Sequence, residues 1–243
     1  MRSLRITLHT TKPVILPLAY NELLQGLLYS CWRERAPQIH DTGIANGAAT
    51  YRFFTFGPIK GDGNIDSKKR TYQVRSIASF EVRSPYEELL DILAGELAST
   101  GAARIGAHAF TVVNLEAHDR LLFPRRAVIR TLQPIVTVRN NDDGKKEYLS
   151  PDDQGWSDLI QVNAAGKAKA FGLSCDNTTL MMPLSTNNLR KHVTRFKRTY
   201  VTGWTGTFAL ACEPQLMQLL YSSGLGAKNS QGFGMFEIDD RPL

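Results

Sequence analysis

Apolar positions in the first ten residues fall on every second place. Leu4, Ile6 and Leu8 alternate with polar neighbours, the period of a strand with one buried face. From about Asn21 to Arg35 the period lengthens. Leu23, Leu24, Leu27, Leu28, Cys31 and Trp32 form one apolar stripe at ~100° per residue, and Asn21 is the predicted N-cap. Tyr29 falls on the opposite side of that helix, with Glu22, Gln25 and Arg33. Strands are predicted at Tyr51–Phe56 and Tyr72–Val82, separated by a polar hairpin region that holds Gly61, Gly63 and the run Lys68, Lys69, Arg70. Ser84-Pro85-Tyr86-Glu87 reads as a capping box with proline at the first helical position. Tyr86, Leu89, Leu90, Leu93 and Leu97 carry that helix to a stop near Gly101, and a strand at Ala109–Ala117 closes the unit. The order is β-α-β-β-α-β, the ferredoxin-like motif.

The second half repeats the order without repeating the sequence. Residues His118 to Arg126 read as a connector, and a strand at Ala127–Val138 runs to a turn around Asn141-Asp142-Asp143-Gly144. Trp156 to Phe171 is weakly helical, with Gly155, Gly166 and Gly172 diluting the pattern. Strands follow at about Arg190–Phe196 and Arg198–Leu210; in the latter Tyr200, Trp204, Phe208 and Leu210 share one face at period two. A short helix, Pro214–Ser222, leads through a glycine-rich loop to a last strand, Phe233–Ile238. The predicted class is therefore α+β, with two tandem ferredoxin-like (RRM-like) domains at 1–118 and 127–243 and a linker at 119–126.

Charge narrows the partners. Of 243 residues, 42% are hydrophobic and 21% charged, as in a folded soluble chain. The formal charge of +6 favours an anionic partner without naming it. No Asp or Glu occurs from Asn177 to Cys212, whereas Arg190, Lys191, Arg195, Lys197 and Arg198 fall within nine residues. A solvated face is the plain alternative reading of such a run. Cys31, Cys175 and Cys212 show neither CxxC nor paired-histidine spacing, so no disulfide framework and no metal site is predicted. Reduced thiols, an alternating N-terminus and the lack of a bilayer-length apolar run give the expectation of a cytoplasmic protein with no membrane contact.

The sharpest local feature is the run from Gly224 to Gly234. Gly224, Gly226, Gly232 and Gly234 surround Lys228 and would let backbone amides approach phosphate oxygens; a tight helix-to-strand connection is the structural alternative. The run is neither a Walker loop nor a dinucleotide fingerprint, because GxxxxGK[ST] and the strand-loop-helix order are both missing. Gln231 to Ile238 resembles the aromatic octamer of RNA-recognition motifs, but no helix and strand follow it. His40, in the loop after the first helix, carries the side chain suited to moving protons near neutral pH. Alone, a loop histidine is more often bland. His9, His108, His118 and His192 show no metal-ligand spacing.

Together these pieces resemble the CRISPR-associated repeat-processing endoribonucleases, the Cas six family of the RAMP superfamily. The resemblance rests on Gly224–Phe236, on Ala19-Tyr20-Asn21 through Leu24 to Tyr29, and on Ile39-His40 followed by Phe53 to Phe56. It implies a His-Tyr-Lys type active site. The tyrosine falls at Tyr29, the histidine at His40, and the lysine position is occupied by Arg52. That is a departure, since arginine binds phosphate but does not titrate near neutrality; Lys60 is the substitute candidate. The loop from His40 to Arg52 is also longer and richer in glycine and alanine than the family pattern. The implied chemistry is cleavage of CRISPR precursor RNA repeats without metal or cofactor. The 2′-hydroxyl attacks the adjacent phosphorus, leaving a 2′,3′-cyclic phosphate and a 5′-hydroxyl. Arg190, Lys191, Arg195, Lys197, Arg198, Gly224, Gly226, Lys228, Gly232 and Gly234 would bind the RNA. Other CRISPR complex subunits are further implied partners, and a homodimer stays open. The alternative is a non-catalytic RNA-binding RAMP subunit of an interference complex.

Overall fold

The computed structural model describes residues 2–37, 42–47, 49–119 and 122–239. In the first half, β1 (Arg2–His9), β2 (Val14–Pro17) and α1 (Asn21–Trp32) are followed by a run of short strands. These are β3 (Ile44–Asn46), β4 (Ala49–Tyr51), β5 (Thr55–Phe56), β6 (Lys60–Gly61), β7 (Asn64–Asp66) and β8 (Thr71–Val74). Then come β9 (Ile77–Arg83), α2 (Glu87–Thr100), β10 (Ala102–Ile105) and β11 (His108–Asp119). The main sheet runs β10-β11-β1-β9-β5, all antiparallel, with β6 also pairing to β9. Set β10 aside and this is the fourth-first-third-second order of a ferredoxin-like unit. Leu4, Ile6 and Leu8 point inward at period two and meet Leu24, Leu28 and Trp32 of α1 and Leu90 and Leu93 of α2.

The second half contains β12 (Arg126–Thr131), β13 (Val138–Asn140), β14 (Lys146–Tyr148), α3 (Trp156–Phe171) and β15 (Leu180–Pro183). It continues with β16 (Arg190–Phe196), β17 (Thr199–Thr205), β18 (Thr207–Ala211), α4 (Pro214–Ser223) and β19 (Phe236–Asp239). Its sheet runs β15-β18-β12-β19, the same order again. Trp156, Ile160, Leu216, Leu220 and Phe208 fill the core beneath it. The expected tandem ferredoxin-like architecture is what the chain adopts. Among the described residues no helix is long and apolar enough to cross a membrane.

Several local expectations change. The Arg198–Leu210 strand is broken at Gly206, so β17 pairs with β16 in a separate ribbon while β18 joins the main sheet. At the break the Gly206 N–H donates to the Thr131 hydroxyl at 2.9 Å and its carbonyl accepts from the Thr131 N–H at 3.1 Å. Tyr200 therefore does not share a buried face with Phe208 and Leu210; it is 64% exposed. Lys197 and Arg198 are the two-residue turn of the ribbon, and Lys197 takes φ 53°. The strand stops at Phe196 and does not carry Lys197 onto the face of Lys191 and Arg195. The Tyr72–Val82 strand divides into β8 and β9, which belong to different sheets. Likewise Ala127–Val138 divides into β12 and β13. Helix α2 opens at Glu87, with the Ser84 hydroxyl accepting from the Tyr86 N–H rather than closing a capping box.

Candidate functional site

The two halves meet along α1. Asn21, Gln25 and Tyr29 are four residues apart, so they form a second line on the helix beside the leucine stripe. Asn21 does not cap the helix; its Nδ2 donates to the carbonyls of Gln231 and Gly232, both at 3.0 Å. Gln25 Nε2 donates to the Ser230 carbonyl at 2.7 Å. Tyr29 is half-buried, edge-on to Phe54 at 5.9 Å, and its hydroxyl meets the Ser230 side chain. One polar stripe thus binds three consecutive residues of the glycine-rich loop, about 200 positions away in sequence. Thr55 adds a bond to the Phe233 carbonyl at 3.2 Å, and Arg83 donates to the Phe236 carbonyl at 2.6 Å.

Arg52 arrives through a break between β4 and β5. Phe53 sits at φ 46°, a region that costs a bulky residue ~1–3 kcal/mol. The turn sends neighbouring rings into different cores, Phe53 with the second half and Phe54 with the first. The Ser84 hydroxyl holds the Phe53 carbonyl at 2.8 Å. Arg52 is left at the seam, lining a cavity of about 280 Å³ with Asn163, Lys167, Lys228 and Ser230. Among the described residues it has no carboxylate partner, and its Nε is buried without a hydrogen-bond acceptor. Burial raises the Tyr29 pKa, against the lowering pull of the Arg52 guanidinium and the Ser230 contact. Its phenol is therefore neutral at pH 7 and keeps its proton. Lys60 lies elsewhere, exposed on β6 and lining a groove of about 220 Å³ with Arg5 and Glu81. His40 lies outside the described residues.

Lys167, to which no sequence motif assigns a role, holds the loop from behind. It is 2% exposed, and its Nζ donates to the Gly224 carbonyl at 2.5 Å, the Gly226 carbonyl at 3.1 Å and Asn229 Oδ1 at 2.7 Å. Asn229 braces the loop in turn through Nδ2 to the Leu225 and Phe233 carbonyls. Burial lowers the Lys167 pKa from 10.5 to about 7. Only the ammonium, with three N–H groups, can serve all three acceptors. The neighbouring Gly166 serves another contact: a Cβ there would lie 2.3 Å from the Tyr51 hydroxyl, and its carbonyl accepts from Asn46 at 3.1 Å.

The four glycines are all buried. A Cβ on Gly234 would lie 2.0 Å from the Leu225 carbonyl, and one on Gly232 2.4 Å from the Phe56 ring. They shape the loop, and its partly exposed stretch is Ala227 to Gln231. Lys228 stands in that stretch, half-buried; its pKa is lowered first by burial and then by Lys146 nearby. Arg190, Lys191, Arg195, Lys197 and Arg198 are exposed on the β16–β17 ribbon. The inner face of the ribbon, Phe196 and Val201, packs on Phe233 of the glycine loop. At its tip the Lys197 N–H donates to the Glu22 carboxylate of α1 at 3.0 Å. The ribbon, the loop and α1 are thus one assembly.

Residues 117–238, half of the chain, match the family model described as "CRISPR associated protein Cas6, C-terminal". The chain is 24% identical over 250 residues to "CRISPR-associated endoribonuclease Cas6 1" of Methanocaldococcus jannaschii, covering 98% of this chain and 93% of that protein. Among solved structures, one described as "Characterization of a Cas6-related gene from Pyrococcus furiosus" superposes with a TM-score of 0.84 at 19% identity, covering 100% of this chain and 99% of that one. Another, "An RAMP protein binding different RNA substrates", gives 0.82 at 20% identity, covering 99% and 100%.

Proposed function

The chain belongs to the CRISPR-associated Cas6 family, and from that premise we propose that it is an endoribonuclease that cuts the repeats of CRISPR precursor RNA. The observation that carries the reading is the convergence of Arg52 from one half with Lys228 to Gln231 from the other around one cavity, with the Tyr29 hydroxyl bonded to Ser230 of its lining. The relative from Methanocaldococcus jannaschii, similar over nearly the whole length of both proteins, is itself an endoribonuclease by name.

In the proposed reaction the nucleophile is the substrate's own 2′-hydroxyl, so no metal-bound water is needed. His40 takes the proton from that hydroxyl as it attacks the adjacent phosphorus in line. The bond from phosphorus to the 5′ oxygen breaks, and that oxygen takes a proton from a solvent water, whose proton the His40 imidazolium then restores. The products are a 2′,3′-cyclic phosphate and a 5′-hydroxyl. Tyr29, held neutral by burial, donates a hydrogen bond at the reacting phosphate. Arg52 offers its planar guanidinium to the non-bridging oxygens, where charge grows in the transition state. This gives the departure from lysine a role that needs no titration. Lys228 and the ribbon cations hold flanking phosphates, while the glycines keep the loop in shape. The test is incubation with the repeat RNA in excess chelator, with both product ends mapped. Cleavage with a cyclic phosphate end is expected; a requirement for divalent metal overturns the mechanism.

A further inference from the structure

Among the described residues the cationic side chains of the β16–β17 ribbon pair with no carboxylate. Three exposed arginines elsewhere are matched, Arg125 with Glu213, Arg130 with Glu237 at 2.8 Å and Arg139 with Glu147 at 2.7 Å, whereas Arg33, Arg70, Arg104 and Arg126 have no ion pair among the described residues. Among the described residues none of Lys191, Arg195, Lys197 and Arg198 has a carboxylate partner for its side chain, in keeping with the stretch free of acids from Asn177 to Cys212. What sets the ribbon apart is that five cations fall within nine residues of a stretch with no acid at all.

Register settles which side chains share a face. Arg195 pairs with Tyr200, Val193 with Thr202 and Lys191 with Trp204, so these six lie on the side opposite Phe196 and Val201; Trp204 is buried there, and the open part is around Val193, Arg195 and Tyr200. The inner side is committed to the glycine loop. On the outer side Tyr200 is 64% exposed and Val193 48%, an apolar patch set directly among cations. Arg195 is steadied by its Nε bond to the Lys197 carbonyl at 3.1 Å, and the backbone beneath the Tyr200 ring is pinned by the Tyr148 hydroxyl at 3.2 Å.

We propose that this outer face is a platform for unpaired RNA, on which one base stacks against the Tyr200 ring while Lys191 and Arg195 hold the phosphates on either side. The assignment rests on the reading of the chain as an RNA-cutting enzyme and extends it by stating the form of RNA that enters. A duplex hides the faces of its bases and would offer the ribbon only its backbone; an exposed ring beside cations is matched by a single strand.

Stacking and charge leave different signatures, which makes the platform separable from a plain basic patch. Loss of a phosphate contact flattens the dependence of log affinity on log salt by roughly 0.7 per charge on a single strand. Loss of a stacked base weakens binding without releasing counterions. The experiment measures repeat-RNA affinity across a salt series for wild type, Tyr200→Ala, Tyr200→Phe and Arg195→Ala, together with a scan of single abasic substitutions in the RNA. We expect Tyr200→Ala to weaken binding roughly 5- to 150-fold with the wild-type slope. Tyr200→Phe should restore the affinity, and Arg195→Ala should flatten the slope. One abasic position should weaken wild type by the same factor yet leave Tyr200→Ala unaffected, the coupling that marks a direct contact. Wild-type affinity in Tyr200→Ala, equal weakening in Tyr200→Phe, or no abasic position coupled to Tyr200 overturns the platform. If repeat RNA is still cut in that case, the enzymatic reading stands and only the platform falls. RNA that wild type neither binds nor cuts removes both.

Discussion

Replacing Lys167 by methionine keeps most of the side-chain volume and removes the charge that holds the glycine-rich loop. With Nζ in place the group titrates near 7 in the folded protein, against 10.5 when unfolded. Between these values the unfolded chain binds the extra proton, so stability rises with pH across the window. The sign is opposite to that of a lysine gaining a salt bridge. Below pH 7 the whole penalty of burying the ammonium is present, roughly 5 kcal/mol at 1.36 kcal/mol per tenfold change in proton affinity. Raising the pH from 6 to 9 relieves roughly 3 kcal/mol of it. The methionine side chain cannot titrate, so the difference in unfolding free energy between wild type and Lys167→Met should shift by that amount in favour of wild type. Urea denaturation of both proteins at each half pH unit measures it. In parallel, amide exchange over residues 224–234 should quicken in the variant, because the Gly224 and Gly226 carbonyls and Asn229 Oδ1 lose their donor. A difference in stability that stays flat from pH 6 to 9, with unchanged exchange in the loop, would refute the reasoning.

The catalytic assignments give further outcomes in single-turnover cleavage. His40→Ala should slow the reaction by ~10²–10⁴-fold while repeat affinity stays near wild type, as expected for loss of a positioned proton carrier; a wild-type rate would favour a binding subunit. Tyr29→Phe should cost less than His40→Ala, since a donor rather than the base is removed. Arg52→Ala should slow cleavage by more than tenfold and Lys60→Ala should not, because Arg52 lines the cavity with Ser230 and Lys60 lines a different groove. The reverse order of the two would move the third catalytic role to Lys60.

Much of the fold was legible because both sheets announce themselves by alternation and both main helices by a leucine stripe. Leu4, Ile6 and Leu8 sit in the core as their spacing requires, and so do Leu89, Leu90, Leu93 and Leu97. What escaped was decided by partners far away in sequence. Asn21 and Gln25 look solvated until the carbonyls of Ser230, Gln231 and Gly232 come within 3.0 Å. An uncharged polar line at four-residue spacing, ending in Tyr29, was the available hint. Phe53 and Phe54 read as one strand, yet they serve two cores, which only the packing of the halves could dictate. Lys167 sits in a weakly patterned helix, where nothing in the sequence marks its contact with the loop; the acceptors at Gly224, Gly226 and Asn229 come from about 60 residues away. The ribbon turn at Lys197 and Arg198 was hidden for a simpler reason: neither residue is a usual turn former, and positive φ at Lys197 carries no mark in the sequence.

The central claim, that this chain cuts RNA using the substrate's own hydroxyl, turns on one atom. A repeat RNA carrying a single 2′-deoxy nucleotide just upstream of the cut should bind as the all-ribose repeat does and remain whole, in chelator or in magnesium. Cleavage of that deoxy substrate at the same bond would contradict the account, because the nucleophile would then have to come from elsewhere.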